Sequence, residues 1–329
     1  ADNTGTSIIN IELATIIAAV FIIAYTMLAG LLSVAYTDAA NSIIMTLALV
    51  ISLPILWIKA GSWSGMETAF AAMNKSQHMQ FGGVYSTMDI INFCLPPFLL
   101  VIGDANMYQR FSASKDVQSA RYSTTILVFA VLFIELLIIG SAWVSSSMIP
   151  EAEVGKHVLI YAAHQFLPTF LGAIMLTTIV GIIISTADSF LLVPANTLIR
   201  DIYLNYINPQ ASEKNIVRLS RLLVLVLGII AYIVSIGFSR SAGFFERALY
   251  AYTIYGAAIT PALVAALFWR GATKEGAVAS IICGTLVTLF WKELPGLWFW
   301  LPTEWYISLD EVLPAISCSL LALICVSYL

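Results

Sequence analysis

The residues best placed to do chemistry are oxygen-bearing side chains within one long apolar run, residues 167–199. Ser185, Asp188 and Ser189 are spaced i, i+3 and i+4, so a helix places them on one face, which Thr186 borders. Hydroxyl and carboxylate oxygens suit a small, hard cation. An alternative is that the hydroxyls hold helices together or bond to the carbonyl one turn back. The pattern therefore predicts a cation site or a polar packing contact.

A second candidate lies where the apolar run 88–108 becomes polar. Asp104 stands near its end, and the run also contains Pro96 and Pro97. A proline removes a backbone donor and kinks a helix, and transporters place substrates at broken helices. Asp104 is therefore a candidate for a substrate path. The alternative is a capped acid that pairs with nearby Arg110.

Other polar residues in or beside apolar runs complete the set of candidates. Asp38 precedes the run 40–58, where service as a helix N-cap is the simplest interpretation. Glu135 lies within the run 122–147, and a protonated acid bonded to a neighbouring helix is the alternative to a functional role. Three tyrosines of the run 246–269 could line a substrate path or pack at the membrane interface: Tyr250, Tyr252 and Tyr255.

The composition that surrounds these side chains is that of a membrane protein. Of the 329 residues, 60% are hydrophobic and only 10% are charged, which excludes an ordinary soluble domain. Nucleic-acid binding is disfavoured, because 15 basic against 19 acidic residues give a net charge of −4 and no basic face. The sequence has no H-E-x-x-H motif and no complete intramembrane aspartyl-protease signature. We therefore expect a transporter rather than an enzyme.

Nine continuous apolar runs predict about nine membrane-spanning helices in one transmembrane domain, residues 1–329. Continuous rather than alternating hydrophobicity argues against a membrane β-barrel. The basic residues favour the loops after the first, third, fifth and seventh helices, which assigns those loops to the cytoplasm of a multi-pass protein in the plasma or inner membrane. The predicted helices are 8–34, 40–58, 88–108, 122–147, 167–199, 217–238, 246–269, 276–292 and 312–329.

Three segments resemble the sodium:solute symporter family, which includes the sodium–glucose, sodium–proline and sodium–pantothenate carriers. Tyr25–Asp38 is similar to the family's pattern Y-T-x-x-G-G-L-x-A-V-x-x-T-D, with Ala29 where the family often has Gly. Gly103–Lys115 is similar to D/N-x-x-x-x-Q-R-x-x-A/S-A-K. Ile184–Ser189, continuing to Asp201–Tyr203, is similar to S-S/T-x-x-S followed by D-I/L-Y. The segments occur in the family's order and extend over nearly the whole chain.

The resemblance implies the leucine-transporter architecture, an all-α bundle of two inverted five-helix repeats. The helices at 8–34 and 246–269 then resemble the fourth and tenth core helices, so we expect a fragment that lacks the first three. The implied function is sodium-coupled import of a small organic solute by alternating access. An alternative with the same fold is a sensor module joined to a cytoplasmic signalling domain. A channel is less expected, because the sequence shows no repeated filter residues.

The resemblance also assigns roles to individual residues. It implies that Ser185 and Thr186 supply hydroxyl ligands to the family's common sodium site, together with the backbone carbonyl of Ile182. Members with a second sodium site use the T-D aspartate and hydroxyls one turn further on. The corresponding second set in this chain is Asp38, Asp188 and Ser189. Asp188 stands where some of these members carry Ser. The expected partners are Na+, a small organic solute whose identity the sequence does not indicate, and the lipid bilayer.

Overall fold

The described part of the chain is built from helices, which suit a lipid environment because a helix pairs its own backbone N–H and C=O groups. The computed structural model describes residues 11–28, 31–83, 85–150, 157–238, 244–291 and 309–329. A 3-10 turn at Ser76–Met79 and a π-helical segment at Leu198–Ile207 accompany the α-helices. The α-helices in these ranges are α1 Ile11–Leu28, α2 Leu31–Lys59, α3 Ser62–Ala72, α4 Thr87–Gly103, α5 Ala105–Ser112, α6 Val117–Ser146, α7 Val158–Gln165, α8 Thr169–Thr197, α9 Glu213–Phe238, α10 Phe244–Phe268, α11 Lys274–Trp291 and α12 Val312–Tyr328.

Each of the nine predicted apolar runs overlaps one of these helices over most of its length. Seven helical segments of the described residues are long and apolar enough to cross a membrane, and two further apolar helices, Glu12–Leu28 and Val312–Tyr328, are shorter. Residues 8–10, 29–30 and 292, which the predicted helices included, lie outside the described residues. The all-α class therefore stands, and the number of nine spans remains a prediction.

The boundary between the first two helices differs from the prediction. α1 ends at Leu28 and α2 begins at Leu31, so Asp38 lies inside α2 rather than ahead of it. The interpretation of Asp38 as an N-cap is therefore wrong. The polar pair Thr37-Asp38 suggested the start of a helix. A helix can nevertheless contain an acid whose carboxylate has a partner, and Asp38 is paired with Arg110.

Short or polar helical segments were missed for a related reason. α3 and the 3-10 turn occupy part of the polar stretch 59–87, and α7 lies between two predicted helices. None of them contains an apolar run long enough to be recognised as a span. The helix predicted at 167–199 begins at Thr169, and helical structure continues as the π-helical segment to Ile207. Asp201–Tyr203, the end of the third family-like segment, lies on this continuation.

The helix predicted at 88–108 is interrupted at Asp104. α4 runs through Pro96 and Pro97 to Gly103, and α5 starts at Ala105. Asp104 has an extended conformation, with φ −67° and ψ 109°. The two prolines remove backbone donors but do not end the helix, whereas the Asp104 carboxylate stabilises the start of a new one by accepting a hydrogen bond from the backbone N–H of Asn106 at 2.9 Å.

The described helices fall into two compact units, of which the first comprises Ala1–Met79 and Gln109–Gly237. Within it, α8 packs against α1, α2 and α7, and α2 also packs against α6. Two apolar clusters hold α8: one includes Leu171 and Met175, and the other includes Leu191 and Leu192. The polar segment of α8 lies between these two anchors, so packing on both sides fixes the faces of its side chains.

The second unit comprises Gln80–Tyr108 and Phe238–Leu329, and in it α10 packs against α4, α11 and α12. Gly256 of α10 allows a close approach, because a Cβ built there would lie 2.7 Å from Leu99 Cβ of α4. Thr260 of the same helix donates a hydrogen bond to the carbonyl of Leu99 at 2.7 Å. Small and hydroxylated residues thus bring α4 and α10 together.

Candidate functional site

The two hydroxyls predicted to bind a cation lie midway along α8. Ser185 is half-buried and Thr186 is exposed. Among the described residues neither hydroxyl has a hydrogen-bond partner, whereas two threonines nearer the start of the same helix do. Thr177 donates to the carbonyl of Ala173 at 2.8 Å, and Thr178 donates to that of Met175 at 2.8 Å. The hydroxyls of Ser185 and Thr186 therefore do not make the hydrogen bond to the carbonyl one turn back that was the alternative to a cation site.

A close contact between helices α2 and α8 lies one turn before these hydroxyls. Gly181 of α8 faces Asn41 of α2, whose side-chain atoms would lie 3.1 to 3.2 Å from a Cβ at position 181. Ile182, whose carbonyl was predicted as a ligand, follows directly and has an exposed side chain. Asn41 was not a candidate in the sequence. It stands three residues after Asp38, at a spacing that places both residues on one helix face.

Asp188 is buried and bonded to α1. Its side chain and that of Thr26 are each 1% exposed. The Thr26 hydroxyl donates a hydrogen bond to Asp188 Oδ1 and also lies 2.7 Å from the carbonyl oxygen of Ile22. Thr26 was missed as a functional candidate, although it belongs to the first family-like segment. Its partner is 162 positions away in the sequence, and only the fold brings the two together.

Asp38 and Ser189 are joined by one guanidinium nitrogen. Arg110 Nη2, from α5, lies 2.8 Å from Asp38 Oδ2 and 3.2 Å from Ser189 Oγ. The pairing of Arg110 with Asp104 that was the alternative to a functional role for Asp104 is therefore wrong, because the Arg110 side chain reaches α2 and α8 instead. Asp38 Oδ1, the other carboxylate oxygen, is buried and has no hydrogen-bond partner within the described ranges.

The three residues of the predicted second cation set are only partly brought together. Asp38 and Ser189 share the Arg110 guanidinium, whereas the Asp188 carboxyl bonds to Thr26 of α1. Their joint service as a cation site remains a prediction.

The candidates for a substrate path lie in the second unit, at the break between α4 and α5. The hydroxyl of Tyr255 accepts a hydrogen bond from the backbone N–H of Ala105 at 3.1 Å, directly beside Asp104. The half-buried Tyr250 and Tyr252 lie on the same helix, α10, one to two turns earlier. Tyr255 thus contacts the break between α4 and α5, where a substrate path was predicted. That Asp104 and the three tyrosines line such a path stays a prediction.

Glu135, the acid in the middle of α6, lies on the exposed face of that helix. Within the described ranges it has no hydrogen-bond partner, so the bond to a neighbouring helix that was considered for it does not occur there.

Comparison with known proteins adds independent information. The family model described as the sodium:solute symporter family matches residues 5–284. A sodium/proline symporter of Haemophilus influenzae is 27% identical over 323 residues, which cover 93% of this chain and 62% of that relative. An osmoregulated proline transporter of Bacillus subtilis is 27% identical over 285 residues, which cover 85% of this chain and 57% of the relative. The chain therefore spans less than two thirds of the length of these relatives.

A solved structure supports the fold. The chain matches the substrate-bound, outward-open state of a Na+-coupled sialic acid symporter with a TM-score of 0.72 at 16% sequence identity, covering 99% of this chain and 68% of that one. The expected class, an all-α polytopic membrane protein with the leucine-transporter-like fold, is confirmed. The family-like segments recognised in the sequence all lie within the residues that the family model matches.

Proposed function

The chain belongs to the sodium:solute symporter family, and on this premise we propose that the full-length protein is a sodium-coupled symporter that imports a small organic solute by alternating access. It is a multi-pass protein of the cell membrane, and its named relatives are transporters rather than enzymes or sensors. The observation that carries the proposal for this chain is that the hydroxyls of Ser185 and Thr186, in the middle of α8, have no hydrogen-bond partner among the described residues.

The oxygen atoms around α8 fit Na+. Sodium is a hard cation that prefers oxygen ligands, and transporters use backbone carbonyls and hydroxyls near interrupted or packed helices to bind it. The hydroxyls of Ser185 and Thr186 have no bond that sodium would have to replace among the described residues. The carbonyl of Ile182, one turn earlier, is proposed as a further ligand. Asn41 packs beside this turn and would stabilise the position of α8 against α2.

Sodium acts here as a transported substrate that is coupled to the solute. If sodium binds more tightly to the conformation that also binds solute, each ligand raises the affinity for the other by the same factor. A helix that is anchored by apolar clusters on both sides of its polar segment, as α8 is, can hold ligand oxygens in a fixed arrangement. Loss of sodium after inward opening would then weaken solute binding.

We propose a small amino acid such as proline as the solute, because two of the similar relatives are named as proline transporters. Asp104, Tyr250, Tyr252 and Tyr255 are the candidate residues of its path. The contact of Tyr255 with Ala105 supports this, since it connects α10 to the break after α4. Interrupted helices expose backbone groups that can bind a zwitterionic solute.

The experiment is uptake of radiolabelled proline by the full-length protein in proteoliposomes, with an inward gradient of either sodium or choline. We expect uptake only with sodium. In Ser185→Ala and Thr186→Ala, the sodium concentration for half-maximal uptake should rise on the order of tenfold, because about 1.4 kcal/mol of lost ligation corresponds to that factor.

Thr177→Ala is the matched control, because it removes a hydroxyl of the same helix that is already bonded to Ala173. Its sodium dependence should equal that of the unmodified protein. Unchanged sodium dependence in both Ser185→Ala and Thr186→Ala would contradict the sodium assignment. Uptake that proceeds equally in choline would contradict sodium coupling itself.

A further inference from the structure

We propose that Arg110 is a built-in cation that competes with a second sodium ion for Asp38 and Ser189, and thereby sets how strongly the carrier binds more than one sodium. The inference rests on the proposed function, because it concerns a sodium carrier. It goes beyond that function because it assigns a role in sodium binding to Arg110, a basic side chain of α5.

The Arg110 guanidinium lies beside the oxygens that a second sodium ion would bind. A single nitrogen of Arg110 reaches a carboxylate oxygen on α2 and a hydroxyl on α8, at 2.8 Å and 3.2 Å. Asp38 and Ser189 are the two residues of the predicted second set that the structure brings together. The guanidinium therefore occupies Asp38 Oδ2 and Ser189 Oγ, two of the oxygens of the predicted second sodium site.

The Asp38 carboxylate is incompletely satisfied by this contact. Its side chain is 14% exposed, and its Oδ1 atom is buried without a hydrogen-bond partner in the described part of the chain. A buried carboxylate oxygen that lacks a partner is unfavourable. A small cation bound through Oδ1 would remove that cost. It would then lie close to the guanidinium, and the repulsion between the two positive charges disfavours simultaneous binding.

Arg110 can leave the site. Its side chain is 46% exposed, so the guanidinium can be hydrated when it swings away from Asp38. Ion pairs with an exposed partner contribute little to stability and exchange readily. The contact has the properties of an exchangeable ligand.

Asp188 does not take part in this exchange. Its carboxyl accepts a hydrogen bond from Thr26 on α1, and both residues are buried. The competition is therefore expected to involve Arg110, Asp38 and Ser189, and to leave the site at Ser185 and Thr186 unchanged.

The test is equilibrium binding of radioactive sodium to the purified full-length protein in detergent, which does not depend on transport. Arg110→Gln removes the charge and should lower the dissociation constant of a second sodium roughly two- to fivefold, the range of a partly exposed ion pair. Affinity at the first site should not change. In the double variant Asp38→Asn, Arg110→Gln, binding of the second sodium should be lost, because the carboxylate ligand has been removed.

Two further variants keep the result interpretable. Arg110→Lys retains the charge and the fold but cannot make the planar guanidinium contact, so its second-site affinity should lie between those of the unmodified protein and Arg110→Gln. Lys115→Gln removes an exposed positive charge five residues further along the chain and should change sodium affinity by less than about twofold, because charges in solvent are screened.

A second-site affinity that is unchanged or lower in Arg110→Gln would overturn the proposal, since the guanidinium would then be neutral or would help to position Asp38 for sodium. If Arg110→Gln does not fold, the same conclusion follows from Arg110→Lys with an affinity equal to that of the unmodified protein. A protein that binds no sodium at all, in any variant, would instead overturn the proposed function. The two failures are thus distinguishable.

Discussion

Asp188 and Thr26 show how a polar pair is accommodated at membrane depth. Both side chains are almost fully buried, and the hydroxyl of one is bonded to the carboxyl of the other. Leaving a buried carboxyl without a donor is costly, so the threonine stabilises the acid as much as it joins α1 to α8.

This pair leads to a prediction about stability. Thr26→Val should lower the free energy of unfolding by about 1–3 kcal/mol, because it leaves the Asp188 carboxyl buried without its donor. The measurement is the unfolding transition of the purified full-length protein in mixed detergent micelles. Thr26→Ser keeps the hydroxyl and should be close to the unmodified protein. Equal stability of Thr26→Val and Thr26→Ser would show that the hydrogen bond contributes nothing measurable.

The candidate residues were largely predictable from the sequence, whereas their partners were not. Ser185, Asp188 and Ser189 were recognised because helical spacing and oxygen chemistry are local properties. Pairing of Arg110 with Asp104, only six positions away, was considered as an alternative, but Arg110 bonds to Asp38, which lies 72 positions away. Local spacing cannot indicate which distant helix a long, flexible side chain will reach.

At the scale of the helices, α4 and α10 illustrate packing through small residues. Without a hydrophobic driving force between helices in lipid, close backbone approach and hydrogen bonds across the contact stabilise the pair. Gly256 provides the space for Leu99, and the bond from Thr260 to the Leu99 carbonyl holds the same turn. The contact positions the break at Asp104 and the tyrosines of α10 within one unit.

Gly256→Ala should therefore destabilise the protein. The new methyl group would lie 2.7 Å from Leu99 Cβ and 3.2 Å from the backbone nitrogen of Leu100, which cannot move aside independently. We expect a loss of about 1–3 kcal/mol, as for other overpacked contacts. The measurement is the midpoint of thermal unfolding in detergent.

Gly140→Ala on α6 is the matched control, since its methyl group would meet only Leu53 side-chain atoms at 3.6 Å, an ordinary contact. It should be neutral or slightly stabilising, because alanine favours helix more than glycine does. If both variants had the same midpoint, close packing at Gly256 would not be limiting.

Helix boundaries show which elements a sequence can predict. All nine apolar runs contain helices because hydrophobicity over about 20 residues is a strong signal. α3 and α7 were missed because short helices depend on their surroundings more than on composition. The break in the helix was expected near the prolines, but it lies at Asp104, where the side chain caps the following helix. The length of an apolar run does not indicate where such a cap will form.

At the scale of the whole molecule, the proposed coupling requires that sodium and solute stabilise a common conformation. Thermodynamic linkage then makes their effects on each other equal. The chain spans only part of the length of its relatives, so this behaviour belongs to the full-length protein.

We predict that saturating sodium lowers the dissociation constant of proline by a factor of roughly 5 to 150, and that saturating proline lowers that of sodium by the same factor. Isothermal titration of the full-length protein with each ligand, in the presence and absence of the other, measures both factors. In the Ser185→Ala, Thr186→Ala double variant both factors should approach one, while proline affinity without sodium is unchanged. Unequal factors would mean that the two ligands do not share a single binding equilibrium.

The sequence alone determined the membrane environment, the helical class, the resemblance to a sodium carrier and the residues of α8 that could bind a cation. The environment, the class and the candidate residues follow from composition, periodicity and local spacing, and the resemblance rests on three segments similar to the family's patterns; none of them needs knowledge of distant contacts. Tertiary structure alone decided that Asp38 lies inside a helix, that Asp188 bonds to Thr26 and that Arg110 joins Asp38 to Ser189. The reason is physical: the contacts of Asp188 and Arg110 link helices far apart in the chain, and Asp38 can lie inside a helix because one of these contacts gives its carboxylate a partner. Only the packing of whole helices selects among the many partners that a polar side chain could reach.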